Sequence, residues 1–215
     1  KRSWDDTVAD ANELATYAQA ATQMGEKKWV KIANDWIRSS CYRFFCHGGA
    51  KKAMIKWMKK VNGGAATKAS LDSLTLCNNL MESKDPTLGV AFNEKIRMLD
   101  IGACYNPLLA PADASAAFSI DVGVPQDAMD VLGVDLYPAN PSVLQCDFLN
   151  VVVADPESGV ETAEAIDIID GDDYKRVVSL PAQSFDAACM CLVLSYLPDP
   201  MQRLKMIQNA WALLK

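Results

Sequence analysis

An apolar run from Ile96 to Ile101 is cut short by Gly102, in the stretch Leu99-Asp100-Ile101-Gly102-Ala103-Cys104-Tyr105-Asn106-Pro107. A short, mostly apolar run of this kind predicts a buried strand. Such strands belong to parallel sheets covered by helices, and open sheets of that kind bind ligands at the carboxyl edge. Gly102 stands at that edge, where it lets the backbone pass close beneath a ligand that a side chain would strike. Taken alone, Asp-x-Gly is a weak signal, because an ordinary strand-to-loop turn accounts for it more often than a site does.

The strand pattern recurs. Val131 to Leu136 is a second run, closed by Tyr137-Pro138; Val143 to Cys146 is a third; and Phe185 to Leu194, nearly all apolar, predicts a fourth strand buried on both faces. Longer segments separate them, which implies parallel pairing through crossovers. Pro200 to Leu214 predicts an amphipathic helix with Met201, Leu204, Ile207, Trp211 and Leu214 on its apolar side. Leu108 to Asp130 and Asn150 to Leu180, rich in Ala, Asp, Pro and Gly, read as insertions. A sheet of this kind calls for more strands beyond the last helix, so part of the fold is expected outside this sequence.

Upstream, the first sixty residues have helical composition and no proline. Leu14, Tyr17, Ala18 and Ala21 line one face of a helix expected over Val8 to Met24. A second helix is expected from Lys27 to Cys46, stopped by Gly48-Gly49, and a short basic one from Ala50 to Lys60. Trp29, Trp36 and Trp57 are expected to pack in the core or between domains. Asn62-Gly63-Gly64-Ala65-Ala66 reads as a linker, and Asp85-Pro86 as the capped start of another helix. The chain therefore divides into a helical N-terminal part with its linker, residues 1–84, and an α/β part, residues 85–215.

Bulk properties narrow the function. The net charge of −6 and pI near 4.8 argue against nucleic acid as the main partner, although Lys51 to Lys60 is locally basic. No run of eighteen apolar residues appears, so membrane insertion is not expected. The opening Lys1-Arg2-Ser3-Trp4-Asp5-Asp6 lacks the apolar core of a signal peptide and reads as an internal start. Seven scattered cysteines point to a reducing compartment. Cys41, Cys46 and His47 are awkwardly spaced on a helix for a shared metal, and Cys189 and Cys191 read as small buried hydrophobes. His47, the single histidine, has no nucleophile motif beside it, and no P-loop is present.

Three further motifs follow Gly102. Gly133-Val134-Asp135-Leu136 puts a carboxylate at the end of the second strand, where it can accept hydrogen bonds from both ribose hydroxyls of a nucleoside; the bland alternative is an exposed strand-end acid. Asp135 lies further along than the ~20 residues of a minimal unit, an excess that the first insertion explains. In Gln145-Cys146-Asp147-Phe148-Leu149, Asp147 can accept from an exocyclic amine while Phe148 packs on a purine; a helix cap with a core Phe fits as well. Cys191 to Pro198 closes the fourth strand, facing the reactive end of a ligand or simply turning. Turn, ribose acid, adenine acid and fourth strand come in the order that a nucleoside-binding sheet requires.

These stretches, with Leu194-Ser195-Tyr196-Leu197-Pro198 and Phe44-Phe45-Cys46-His47-Gly48-Gly49-Ala50-Lys51-Lys52-Ala53, resemble the family of S-adenosylmethionine sensors upstream of the TOR kinase complex. That family is itself similar to fungal methyltransferases acting on adenine N1 of large-subunit ribosomal RNA. The resemblance implies a Rossmann-like class I methyltransferase sheet with a helical N-terminal domain covering the cofactor cleft. It implies that S-adenosylmethionine, with S-adenosylhomocysteine as competitor, contacts Gly102, Ala103, Cys104, Asp135, Leu136, Asp147, Phe148 and Ser195. Cys104 and Asn106 stand where the usual methyltransferase loop has its second and third glycines.

The resemblance further implies a cytoplasmic negative regulator. In its ligand-free form it would bind the GATOR and KICSTOR complexes, reach the lysosomal surface through them, and be released by ligand. The competing expectation is an S-adenosylmethionine-dependent methyltransferase acting on RNA adenine N1. Acidic charge, the lack of an Asn/Asp-Pro-Pro-aromatic turn after the fourth strand and the lack of an obvious base lean toward the sensor. A protein or small-molecule methyltransferase has no sequence feature in its favour.

Overall fold

The computed structural model describes residues 11–50, 52, 53, 56, 60, 95–105, 108, 124, 125, 128–154, 166–170 and 175–215. The predicted linker at Asn62, the helix start at Asp85-Pro86, Trp57, Asn106-Pro107 and most of the segment between Leu108 and Asp130 lie outside them. Two compact units divide the chain: Lys1–Asp35 with Arg97–Ala117 and Met129–Lys215, and Trp36–Ile96 with Phe118–Ala128.

The first unit is built on a sheet. Its strands are β1 (Ile96–Ile101), β2 (Met129–Asp135), β3 (Leu144–Gln145), β4 (Val152–Ala154), β5 (Asp167–Asp170), β6 (Lys175–Pro181) and β7 (Ala187–Cys189). Strand order is β4-β6-β3-β2-β1-β7, with β5 pairing β6 off that path. The pairs β1/β7, β2/β3, β3/β6 and β4/β6 are parallel, and β5/β6 is antiparallel. This is the Rossmann-like α/β architecture that the strand pattern predicts. From β1 the chain winds outward through β2 and β3, then returns to the other side of β1 as β7. That reversal is the switch point outside which such sheets leave a crevice.

β1 is buried at five of its six positions, as a strand covered on both faces must be. Leu99, Ile101, Val134, Cys146, Phe148, Val177, Leu180, Phe185 and Leu197 form the core with Met206, Ala210 and Leu213 of the last helix. The helices are α1 (Ala11–Gly25), α2 (Lys28–Cys46), α3 (Val193–Tyr196) and α4 (Pro200–Leu213). Asp199 caps α4 by accepting from the Met201 N–H at 2.9 Å, with Pro200 in the first turn. Behind α4, Leu214 bridges Phe185, and the Lys215 ammonium lies 3.0 Å from Asp186.

Five expectations need correction. Cys191, expected as a small buried hydrophobe, is exposed. The apolar run from Phe185 to Leu194 is not one strand: β7 ends at Cys189, Leu192 turns left-handed at φ 66°, and α3 follows. Asn150 to Leu180 is not merely an insertion, because β4, β5 and β6 come from it and β6 joins β3 to β4. The predicted apolar side of α4 faces outward, Met201, Leu204, Ile207 and Trp211 being exposed, while Met206, Ala210 and Leu213 enter the core. Trp29 and Trp36 of α2 are likewise exposed.

In the second unit, α2 ends at Cys46 and Gly48 takes φ +71°, so the glycine stop falls where the sequence puts it. The described residues of the expected basic helix, Ala50, Lys52, Ala53, Lys56 and Lys60, are helical. No cluster of three metal-ligating side chains occurs among the described residues, and no helix among them is long and apolar enough to cross a membrane.

Candidate functional site

The site is assembled at the carboxyl ends of β1 and β2. Gly102 follows β1 at φ +80°, and its N–H and that of Ala103 both donate to the Val134 carbonyl, at 2.8 and 3.1 Å. A Cβ on Gly102 would come within 2.8 Å of Val193 Cβ. Glycine is required here by the left-handed backbone and by the approach of α3. Cys104, also left-handed at φ 48°, donates its N–H to Asp135 Oδ2 at 3.0 Å, and the Tyr137 N–H donates to Oδ1 at 2.8 Å. Asp135 thereby fastens the β1 turn to the end of β2.

Asp135 accepts backbone N–H groups at both oxygens, and the four lone-pair sites of a carboxylate leave capacity for a further donor. Burial raises its pKa, while the hydrogen bonds from Tyr137, Cys104 and Leu136 oppose the rise. Asp147 sits after β3, with Oδ1 accepting from the Leu149 N–H at 3.2 Å and Oδ2 from the Asn150 amide at 2.8 Å. Phe148 is buried, and its carbonyl accepts from Asn209 of α4 at 2.9 Å.

These ends surround a cavity of about 470 Å³, inside the range of ~300–1,000 Å³ usual for small-molecule sites. Gly102, Asp135, Leu136, Asp147 and Phe148 of the expected set line it. The other three do not. Ala103 is buried in the turn. The Cys104 thiol points to the Ala18 carbonyl, 3.8 Å away, and burial pushes its pKa up to about 12. Ser195 donates its hydroxyl to the Leu192 carbonyl at 2.6 Å within α3.

The cavity takes in residues of the 191–198 stretch, which the sequence turns toward a ligand, and others, Glu13, Leu14, Tyr17 and Met206, to which the sequence assigns no such place. Glu13, Leu14 and Tyr17 of α1 form one wall, and Val193, Tyr196, Leu197 and Met206 another. The Tyr17 and Tyr196 rings meet edge to face at 5.2 Å. Burial raises the Tyr17 phenol's pKa, with Asp135 and Tyr196 adding to the effect. α1 is held to the β1 turn at one further point, where Gly25 packs so tightly on Tyr105 that a Cβ there would overlap the ring; Tyr105 also hydrogen-bonds Asn34 of α2.

Asp100 precedes this turn within β1. It is 3% exposed, and its Oδ2 has no hydrogen-bond partner among the described residues. Burial first, then Asp135, pushes its pKa up to about 7. Its signal in the sequence is a lone acid inside a mostly apolar strand. Asp100 lies behind the cavity and does not line it; the buried carboxylate of Asp135 in the wall, with apolar neighbours and the Phe148 ring, suits a ligand that carries hydroxyls and an aromatic ring.

The comparison with known proteins follows the same lines. The chain is 28% identical to the "S-adenosylmethionine sensor upstream of mTORC1" of Danio rerio over 218 residues, 98% of this chain and 50% of the relative. It resembles that sensor along nearly its whole length. The proteins of the same name in Xenopus tropicalis and Xenopus laevis are each 29% identical, over 216 and 209 residues, 94% of this chain and 48% of theirs. This chain thus spans about half the length of these sensor relatives. No protein-family model matches it.

Proposed function

We propose that this chain binds S-adenosylmethionine in the cavity at the ends of β1, β2 and β3, and that it senses this ligand. One observation carries the reading: buried Asp135 stands in the wall of a nucleoside-sized cavity at the switch point of a parallel sheet. The names of the sensor relatives supply the ligand. In this reading Asp135 receives the ribose hydroxyls, and Leu136, Asp147 and Phe148 take the adenine. Asp100 would balance the positive end from behind the β1 turn, and α1 would close the cavity through Leu14 and Tyr17. S-adenosylhomocysteine shares the adenosine and would compete.

The sensor reading extends to the partners. The ligand-free form would bind the GATOR and KICSTOR complexes and restrain TOR signalling, and ligand would release it. Calorimetry with both ligands, run beside a methyl-transfer assay on total RNA, tests the reading. Saturable binding without transfer supports the sensor; transfer to RNA replaces it with a methyltransferase; undetectable binding at millimolar ligand by folded protein removes both.

A further inference from the structure

Charge is segregated along this acidic chain. Residues 27–60 hold ten of the 21 basic side chains and only one of the 27 acidic ones, Asp35, together with three of the five tryptophans. The strand motifs and the cavity make no use of this region's charge. Its described part is α2, followed by helical Lys52, Lys56 and Lys60, which recur every fourth residue and are exposed.

Among the exposed side chains of α2, cationic Lys28, Lys31 and Arg43 accompany large apolar ones. Trp29 is 56% exposed, Ile32 38% and Trp36 60%. Their spacing of three and four puts them in one stripe. Exposed Lys28 lies beside that stripe and exposed Arg43 continues its line. A globular helix normally turns such a stripe inward. An exposed indole–aliphatic–indole stripe within a basic segment has the composition of a helix that lies in a membrane interface, its tryptophans at headgroup depth and its cations on anionic lipid.

We infer that α2 with Lys52, Lys56 and Lys60 forms a docking surface for an anionic bilayer. Charge complementarity selects this occupant: the segment is strongly positive while the remainder of the chain is negative, so an anionic surface attracts this stretch and repels the rest. A single-stranded polynucleotide would also meet the cations and indoles. It would gain nothing from Ile32 between the two tryptophans, whereas an interface buries all three.

The test uses the whole chain with vesicles of phosphatidylcholine containing about one third phosphatidylserine, and with phosphatidylcholine alone, near physiological salt. Sedimentation should show at least about tenfold stronger binding to the anionic vesicles, weakening as salt rises. Lipids brominated in their acyl chains should quench tryptophan emission, and Trp29→Ser with Trp36→Ser should remove most of the quenching and of the binding. Both residues are exposed, so a thermal melt should be unchanged. Equal binding to the two vesicle types, binding without quenching, or binding indifferent to the double substitution each overturns the inference. Displacement of the vesicles by polyuridylate that itself quenches the tryptophans would assign the surface to nucleic acid instead.

Discussion

The backbone N–H of Cys104 donates to Asp135 Oδ2 across 3.0 Å, joining the turn after β1 to the last residue of β2. Cys104 holds φ 48°, a conformation a non-glycine residue adopts only when its surroundings demand it. With the Tyr137 N–H on its other oxygen, Asp135 is at once a structural clamp and a wall of the cavity.

Replacement of Asp135 should therefore be felt twice. Asp135→Ala leaves the buried Cys104 N–H and the part-buried Tyr137 N–H without this acceptor, a cost of about 1–3 kcal/mol for the buried one and less for the other. It should also weaken S-adenosylmethionine binding by about tenfold or more, through the loss of charge-assisted bonds to the ribose. Asp135→Asn retains one acceptor oxygen and should fall between Ala and the parent in stability. Urea denaturation and calorimetry on the same samples separate the effects. An Asn variant that binds as tightly as the parent would confine Asp135 to its clamp role.

Gly102→Ala meets two obstacles, φ +80° and Val193 2.8 Å from the added carbon. The left-handed backbone costs about 1–2 kcal/mol for a non-glycine residue, and the contact with Val193 adds to it. The sequence alone suggests a methyl pushed toward ligand; the structure puts Val193 in its path. Val193→Ala in the Gly102→Ala background should recover the steric part and leave the backbone part. Additive losses in a double-mutant cycle would show that the two positions do not touch.

Asp100 makes stability depend on pH. Its pKa is raised from 3.8 to about 7 in the folded chain, chiefly by burial. The folded state thus binds more protons than the unfolded one between those values. The contribution is fully present below about pH 4 and is lost as pH rises through 7. Asp135, Tyr105 and Cys191 are its titratable neighbours. Melting midpoints from pH 5 to 8 should decline for the parent and decline less for Asp100→Asn. A cationic ligand would favour the ionised form, so binding near pH 6.5 should release protons, measurable as calorimetric heats that vary with the buffer's ionisation enthalpy. Identical pH profiles for parent and variant would refute the assignment.

The site's centre was legible because few chemistries suit the end of a buried parallel strand. Gly102 and Asp135 stood out as a turn and an acid that close apolar runs. Other features were hidden for identifiable reasons. Cys191-Leu192-Val193-Leu194 is apolar whether strand or helix, and periodicity cannot separate the two in so short a run. α4 is apolar on two sides. Its larger residues, Trp211 and Ile207 among them, drew the pattern, while Met206, Ala210 and Leu213 fill the core. Tyr17 reads as one more residue on a helix face; only the fold brings it to Tyr196 and the cavity.

The last prediction joins that wall to regulation. α1 supplies Glu13, Leu14 and Tyr17 to the cavity and is tied to the β1 turn through Cys104 and Tyr105. A ligand filling the cavity would hold α1 in place. Amide exchange in Ala11–Gly25 should then slow when S-adenosylmethionine is added, and Tyr17→Ala should lose most of that protection. Linkage carries the effect outward: a partner that prefers the ligand-free arrangement must be disfavoured by whatever stabilises the other. A coupling of about 1–3 kcal/mol changes partner affinity roughly 5–150-fold. Co-precipitation with GATOR or KICSTOR components at rising ligand should show the parent letting go, while Asp135→Ala and Tyr17→Ala hold on to much higher concentrations. If parent and variants release together, the cavity does not control the partner, and ligand binding must serve another purpose.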